Sequence, residues 1–413
     1  MARDVESTEV APSDDAAAEA TARVRAAVAA LRARHLRPIA GLLPGTRIGV
    51  ASWPRPGRPW STERLTASWN YWWQAHLVDV LIDAAVLGDP VAPREARAVV
   101  RGLRVRNIGR WRNAYYDDMA WLAIALERAR RRLPAPVGPD CLRGGLTTLT
   151  DVLYDAWDPA HGGGIPWRTT DLFFNVPANG PAGIVLARRD HVARAVATAD
   201  WIHREFTLPN GLIADGFWVE AGGARRTVDT AFTYCQGVTL GLELECFRRT
   251  GGTRHFQRLE ALVGAVEREM TRDGVLIGHG GGDGGLFSGI AARYLALVAT
   301  DLPGTSPASA ALRARAGRIV SASADAAWAH RAEVAGLPLF GPDWRKPAVV
   351  PDGSGSGASF IAGAVRSSST PEQDLSVQIA AAMALTAAAS VTLRSPEHTG
   401  SVTPNGNEEH VHA

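Results

Sequence analysis

Two adjacent carboxylates, Asp117 and Asp118, stand at the start of a wholly apolar stretch, Met119–Leu126, with Tyr116 and Trp121 beside them. An ionised pair at such a place is costly unless it is used or strongly hydrogen-bonded. If the stretch is a helix, the free N–H groups and the positive dipole end at its N terminus favour ionisation of one carboxylate. The second carboxyl group, beside that charge and near aromatic rings, should have a raised pKa.

An ionised carboxylate beside a protonated carboxyl group is the pair that a glycosidase requires. Adjacent residues can place their carboxyl groups about 5–5.5 Å apart, which is the separation found in retaining enzymes. From the residues alone, Asp117 and Asp118 are candidate catalytic groups for glycoside hydrolysis. A purely structural interpretation stays open, because an N-cap residue followed by an acid in the first turn is common in helices.

A terpene cyclase is a second alternative for the same pair. Such an enzyme holds magnesium and diphosphate through an Asp-rich motif with a third acid about one turn further on, but Trp121 and Leu122 occupy those positions. The sequence also lacks a second metal motif in which an Asn or Asp, a Ser or Thr and a Glu repeat at four-residue spacing. Four arginines offer only a weak diphosphate clamp: Arg104, Arg106, Arg110 and Arg112.

The composition narrows the chemistry. The 413 residues include 44 Lys+Arg and 42 Asp+Glu, a net charge of +2, which argues against a nucleic-acid-binding protein or a polybasic membrane-surface protein. Lys346 is the single lysine, which nearly removes Schiff-base chemistry, lysine general bases and the phosphate-binding lysine of a P-loop. The 13 tryptophans are an excess that a ring-lined binding site would explain.

The sequence gives little indication of a disulfide framework, a signal peptide or a membrane-spanning helix. The three cysteines, an odd and small number, predict reduced thiols rather than a disulfide framework. The first 20 residues contain no apolar segment, so a signal peptide is not predicted and a cytoplasmic location is expected, with leaderless export left open. No charge-free apolar run of about 18 residues is identified, so no membrane span is predicted.

Helices must position the acidic pair. Helical patterns separated by Gly- and Pro-rich loops predict twelve helices: 19–36, 63–88, 92–104, 114–132, 140–155, 178–188, 190–206, 230–250, 253–269, 287–301, 307–330 and 373–391. Strand-like patterns are scarce, and the best of them, at 211–219 and 274–278, predict small hairpins. Some of the helices are apolar on every side and must be buried all round, whereas others are amphipathic.

The alternation of buried and amphipathic helices predicts an all-α fold with an inner and an outer ring. Twelve helices in six hairpins would form an (α/α)6 barrel, and an irregular helical bundle of the terpene-cyclase type is the alternative. We expect a single domain over residues 19–395, between disordered tails at 1–18 and 396–413.

Each predicted inner helix begins with a polar or aromatic segment. The six segments lie near 68–74, 113–118, 173–180, 233–237, 284–289 and 374–378. Because the inner helices of such a barrel run parallel, their first residues gather at one mouth. Aromatic faces and planar hydrogen-bonding groups suit a sugar, so the mouth is the predicted binding site. The glycine-rich stretch 278–285 lacks the Lys-Ser/Thr of a phosphate loop and is predicted to be a rim loop.

Six motifs, in this order along the chain, resemble those of glycoside hydrolase family 76: YYDDMAWLAIAL (115–126), GGGIPW (162–167), FFNVPANG (173–180), TYCQG (233–237), GGLFSGIAARYL (284–295) and DLSVQ (374–378). The resemblance covers roughly residues 60–390. It implies an (α/α)6 barrel that hydrolyses α-1,6-mannosidic bonds of α-mannan-type glycans with retention of configuration, and we expect endo action. It implies no metal and no cofactor, and we expect a monomer.

The resemblance also assigns roles to residues. Asp117 matches the nucleophile and Asp118 the general acid/base. The positions that match the cleft lining, together with the tryptophan beside the pair, are Tyr116, Trp121, Trp167, Asn179, Tyr234, Gln236 and Phe287. Cys235 stands where the family usually has Asn. Two other functions stay open: an α-mannan transglycosylase, and a catalytically silent glycan-binding protein.

Overall fold

The computed structural model describes residues 14–39, 43–54, 69–133, 139–361 and 363–394. Twelve α-helices lie within these residues. The odd-numbered helices are α1 (Asp14–Arg34), α3 (Ala92–Arg106), α5 (Pro139–Asp155), α7 (Val192–Phe206), α9 (Thr253–Glu269) and α11 (Pro307–Ala329). The even-numbered helices are α2 (Tyr71–Val86), α4 (Tyr116–Arg132), α6 (Val176–Arg188), α8 (Thr233–Thr250), α10 (Phe287–Asp301) and α12 (Leu375–Leu393).

The even-numbered helices form a closed inner ring. Each of them contacts the next one in the chain, and α12 contacts α2. The odd-numbered helices form the outer layer, where α3, α5, α7, α9 and α11 each pack on the preceding inner helix and α1 packs on α12. The predicted (α/α)6 barrel is confirmed.

Helix α12 shows why the inner ring is so apolar. It carries no charged residue, and a helix that is hydrophobic all round must be buried all round. By length and composition α12 could cross a membrane, so the sequence-based statement that no such stretch exists is wrong. The helix is mostly buried in the inner ring, where outer-layer helices and neighbouring inner helices cover its sides.

The helix bounds agree with the predicted ones to within a few residues, except at the starts of the first two helices. Helix α2 begins at Tyr71 rather than at 63; residues 69 and 70 of the predicted helix are not helical, and 63–68 lie outside the described residues. Helix α1 begins at Asp14, so residues 14–18 of the predicted N-terminal tail are helical. Residues 1–13 of that tail lie outside the described residues, as does the whole predicted C-terminal tail at 396–413.

Short antiparallel strands lie in the connections between helices. Four hairpins join β1 (Leu36–Pro38) to β2 (Arg47–Gly49), β6 (Thr271–Arg272) to β7 (Val275–Leu276), β8 (Ala332–Val334) to β9 (Leu337–Leu339), and β10 (Ser359–Ile361) to β11 (Ala364–Arg366). A three-stranded sheet has the order β3 (Phe173–Asn175), β4 (Gly216–Val219) and β5 (Arg225–Val228). The predicted strand-like pieces are thus confirmed as β4 and β7.

Charged side chains form a cluster of ion pairs between inner helices, beyond the first turns of these helices. Arg128 of α4 and Arg293 of α10 both pair with Asp79 and Asp83 of α2. The Nη2 atom of Arg293 lies 2.6 Å from Asp83 Oδ2, and Asp79 is 4% exposed. These ion pairs join three inner helices, all of which carry residues of the site described next.

Candidate active site

A cavity of about 540 Å³ opens where the inner helices begin. Its walls include the first residues of α2, α4, α8 and α10, and the hairpin β10–β11 lies along one side. The aspartate pair lies in this cavity because the N terminus of α4 faces it. The polar and aromatic segments at the starts of these helices therefore meet, as the sequence predicts.

The two adjacent carboxyl groups have different hydrogen-bond partners. Asp117 Oδ2 accepts a bond from the indole nitrogen of Trp167 at 2.9 Å, and its Oδ1 accepts one from the backbone N–H of Asp118 at 2.8 Å. Asp118 Oδ2 accepts a bond from the amide of Asn113 at 2.5 Å. Two N–H donors therefore stabilise the ionised form of Asp117.

Burial is the main influence on both acids. It raises the pKa of Asp117 to about 7, although the donors from Trp167 and the Asp118 amide act in the opposite direction. It raises the pKa of Asp118 well above the usual range, and the negative charge of Asp117 raises it further. The sequence predicts a raised pKa for one acid only. The pKa values of both acids are raised, and the charge of Asp117 together with burial favours the protonated form of Asp118.

A third acid, Asp283, lies at the same cavity and was missed by sequence reasoning. Its Oδ1 accepts bonds from the indole nitrogens of Trp72 and Trp73 at 3.0 and 2.9 Å, and its Oδ2 accepts one from Val365 N at 2.7 Å. Burial raises the pKa of Asp283 to about 6. Asp283 thus fastens the hairpin β10–β11 to the start of α2, and its charge contributes to the raised pKa of Asp117.

Asp215, just before β4, is a fourth acid at the cavity that the sequence did not single out. Its Oδ1 accepts from the hydroxyl of Tyr234 at 3.4 Å and from the thiol of Cys235 at 3.6 Å. Cys235 is fully buried behind this contact, and it is not part of the cavity wall. Asp283 lies four residues before the inner helix α10, a position that could have pointed to it, whereas no local signal in the sequence distinguishes Asp215.

Four of the predicted binding aromatics lie in the cavity wall: Trp121, Trp167, Tyr234 and Phe287. The rings of Tyr234 and Phe287 stack at 3.9 Å with an interplanar angle of 6°. Trp167 lies edge-on to Phe173, with 6.0 Å between ring centroids. These faces and edges form an aromatic lining around the acidic groups, which is the arrangement that suits the C–H face of a sugar ring.

Asn179 does not line the cavity, contrary to the prediction. It is fully buried, its Oδ1 accepts a bond from Ile165 N at 2.7 Å, and its Nδ2 donates to Ile165 O at 2.7 Å and to Asn175 O at 2.8 Å. A side-chain amide can satisfy a loop backbone in this way because it both donates and accepts. Asn179 therefore fixes the loop that carries Trp167.

Gln236 and Tyr116 also lie outside the cavity wall, so their predicted placement is corrected. Gln236 is buried, accepts from Ile213 N at 2.7 Å and donates to Ile213 O at 2.8 Å and Phe232 O at 2.9 Å. It fixes the loop that leads to Asp215. Tyr116 is half-buried and packs against the hydrophobic core.

We expect Asp215→Asn to raise the free energy of unfolding near pH 8 by about 1–3 kcal/mol. Burial raises the pKa of Asp215 from 3.8 to about 6, so folding favours the protonated form. The carboxylate then reduces stability as the pH rises above its unfolded pKa, and this cost is complete above the folded pKa. The stability gap between the variant and the wild type should shrink toward zero as the pH falls to about 4. Urea unfolding across this range measures it.

Asp79→Asn is a control in which the change in the free energy of unfolding should have the opposite sign. Burial acts to raise the pKa of Asp79, but the charges of Arg128 and Arg293 hold this pKa below its usual range. Its carboxylate therefore adds stability above its unfolded pKa, and that stability is lost as the pH falls through the folded pKa. The asparagine variant should be less stable than wild type near pH 8. Equal effects of the two substitutions would contradict the assigned pKa directions.

Among the described residues, no group of three or more His, Cys, Asp or Glu side chains is arranged to hold a metal ion. The four acids of the cavity instead accept hydrogen bonds from indole, amide, hydroxyl, thiol or backbone groups. The carboxyl groups of the cavity can support proton transfer by Asp118 and nucleophilic attack or charge stabilisation by Asp117.

Comparison with known proteins places the chain among carbohydrate-active proteins. The sequence model described as glycosyl hydrolase family 76 matches residues 40–365. The GH76A α-1,6-mannanase from Salegentibacter sp. HEL1_6 has a similar structure, with a TM-score of 0.73, 24% sequence identity and coverage of 90% of this chain and 99% of that chain. A comparison with curated proteins finds no match to this sequence.

Two further solved structures share the fold. One is an inactive variant of the same Salegentibacter enzyme, with two consecutive aspartates changed to asparagine, in complex with α-1,6-mannotriose; its TM-score is 0.72, at 24% identity, with 90% of this chain and 99% of that chain covered. The other is Dfg5 from Chaetomium thermophilum in complex with glucosamine, with a TM-score of 0.68, 18% identity and coverage of 89% and 90%. At these identities the likeness shows the fold.

Proposed function

The chain belongs to glycosyl hydrolase family 76, and from this premise we propose that it is a retaining glycoside hydrolase that cleaves α-1,6-mannosidic linkages within α-mannan-type glycans. Membership of the family supports the class of enzyme, a glycoside hydrolase. The observation that carries the proposal is the Asp117–Asp118 pair, in which one acid accepts two N–H bonds and the other has the higher pKa.

The proposed mechanism uses the two acids in turn. Asp117 attacks the anomeric carbon while Asp118 gives its proton to the departing glycosidic oxygen, so the C–O bond breaks as a glycosyl-enzyme ester forms. Asp118, now a carboxylate, then takes a proton from water as the water attacks the anomeric carbon and releases Asp117. The donors to Asp117 from Trp167 and the Asp118 amide suit a carboxylate that is the attacking group and then the leaving group.

The preference for a mannan-type glycan is supported by the cavity and by the relatives. A cavity of about 540 Å³ with an aromatic lining can hold a neutral sugar and its neighbour. The Salegentibacter relative is an α-1,6-mannanase, and its inactive variant binds α-1,6-mannotriose. The loss of activity in that relative follows replacement of consecutive aspartates, which is the arrangement found at Asp117 and Asp118.

Incubation of the protein with α-1,6-mannotetraose tests the proposal. We expect shorter α-1,6-mannooligosaccharides, with the α-anomer as the first product in proton NMR spectra because a double displacement retains configuration. α-1,2- and α-1,3-linked mannotrioses should remain intact. A β-anomer as first product would contradict retention, and longer products in excess acceptor sugar would instead identify a transglycosylase. Binding of the tetrasaccharide without any cleavage would identify a glycan-binding protein.

A further inference from the structure

Exposed apolar side chains are distributed unevenly over the barrel. The mouth face consists of the connections that lead from each outer helix to the next inner helix, in the described parts of 35–70, 107–115, 156–175, 207–232, 270–286 and 330–374. Large apolar side chains that are exposed in or within one turn of these connections include Val105, Ile108, Leu172, Val349, Phe360 and Ile361. Val86 and Val91 lie at the opposite end. The mouth face is thus the apolar end of the surface.

Ile108, on the mouth face, has an unfavourable backbone conformation and an unfavourable exposure of its apolar side chain. Its φ is +54°, in the left-handed region that normally belongs to glycine or asparagine just after a helix. A β-branched residue there is a genuine outlier. Its side chain is also 86% exposed, so burial of the apolar group does not offset the backbone strain. A strained residue that displays an apolar group to solvent points to a contact that the isolated chain does not make.

Hydrogen bonds fix the conformation of the loop that carries Ile108. Asn107, which lines the cavity, donates from Nδ2 to Arg110 O at 2.8 Å and to Arg112 O at 3.1 Å. Arg104 Nε donates to Gly109 O at 2.9 Å. The loop is therefore braced from both sides, and the apolar tip lies immediately beside the mouth of the active-site cavity.

The chain segment that carries this tip has charges of one sign only. Residues 101–116 contain five arginines and no acidic residue, a local asymmetry that the net charge of +2 for the whole chain conceals. Arg104, Arg110 and Arg112 are exposed. An exposed apolar side chain in a segment rich in exposed arginines is the pattern of a surface that inserts shallowly into an anionic bilayer, where arginines bind lipid phosphates.

We propose that the mouth face, through Ile108 and the surrounding arginines, docks on the surface of a membrane that contains anionic lipids. The cavity then faces glycans that are carried on lipids of that surface, so a lipid-linked glycan becomes the natural substrate class. This substrate class depends on the proposed hydrolase function, whereas the docking itself does not. Docking of this kind is peripheral and requires no membrane-spanning helix.

Co-sedimentation of the full chain with lipid vesicles tests the docking. We expect binding to vesicles that contain phosphatidylglycerol, weaker binding at high salt, and little binding to pure phosphatidylcholine. The double variant Arg110→Gln/Arg112→Gln should bind about 10- to 30-fold more weakly. Ile108→Asn should bind several-fold more weakly with an unchanged or higher melting temperature, because asparagine tolerates the left-handed backbone. The matched controls are Val86→Ala and the double variant Arg130→Gln/Arg318→Gln, which should bind like wild type.

Specific outcomes would overturn the proposal. These are equal binding to neutral and anionic vesicles, equal losses in the mouth-face and control variants, or self-association that Ile108→Asn abolishes without any vesicle binding. The last result would assign the face to a second copy of the chain. Cleavage of soluble α-1,6-mannotetraose is measured separately, and both mouth-face variants should retain it. Vesicle binding without cleavage would leave the docking intact and reject the hydrolase.

Discussion

Asp117→Asn should reduce the turnover of α-1,6-mannooligosaccharides by about four orders of magnitude or more, since an amide oxygen is a poor nucleophile and no other group replaces it. Asp118→Asn should cost about 10²- to 10⁴-fold, which is the usual contribution of a general acid. The two losses of turnover should differ in how they depend on the leaving group of the substrate. With an aryl α-mannoside, whose leaving group needs no proton, Asp118→Asn should recover formation of the glycosyl-enzyme and Asp117→Asn should not.

Asp325→Asn is the matched control for these variants. Asp325 lies on the outer helix α11, 70% exposed and paired with Arg23, far from the cavity in the chain and in the fold. Its substitution should leave turnover unchanged. Thermal melting shows whether each variant is folded. A folded Asp117→Asn protein with turnover near the wild-type rate would remove the nucleophile assignment, and aryl-substrate rescue of Asp117→Asn alone would exchange the two roles.

The sequence predicts the barrel because its helices differ in periodicity. The uncharged helix α12 must be buried on all sides, whereas α3 has Val99 and Leu103 buried and Arg101 and Arg104 exposed. Two such classes in alternation have few packing solutions, and concentric rings are one of them. The aspartate pair is noticeable for a related reason: two ionised acids at the start of an apolar helix are costly unless they are used or strongly hydrogen-bonded.

The rest of the site depends on contacts that are distant in sequence. Asp283 owes its place to two indoles from α2 and a backbone N–H from β11, none of which is close to it in the chain. Asn179 and Gln236 have the residue types of sugar ligands, but loop carbonyls and amides occupy their side chains. Residue type alone cannot distinguish a side chain that binds sugar from one that satisfies a neighbouring loop, because both use the same donors and acceptors.

Below the cavity, ion pairs between side chains hold the inner helices together in addition to apolar contacts. Arg128 of α4 bridges Asp79 and Asp83 of α2, and Arg293 of α10 pairs with the same two acids from another side. Helices α2 and α4 carry the indoles that bind Asp283 and the pair Asp117–Asp118. The ion pairs therefore fix the mutual position of the two helices whose first turns form much of the site.

Arg128→Gln should lower the free energy of unfolding by about 3 kcal/mol near pH 8, because removal of one partner leaves buried carboxylates uncompensated. Arg130→Gln, an exposed neighbour on α4, should change it by less than about 0.5 kcal/mol. Without Arg128 the pKa of Asp79 rises, so protonation relieves the defect and the loss should shrink as the pH falls toward 5. Urea unfolding of both variants measures these effects. Equal losses in the two variants, or a loss at Arg128 that does not vary with pH, would show that packing rather than charge holds α2 against α4.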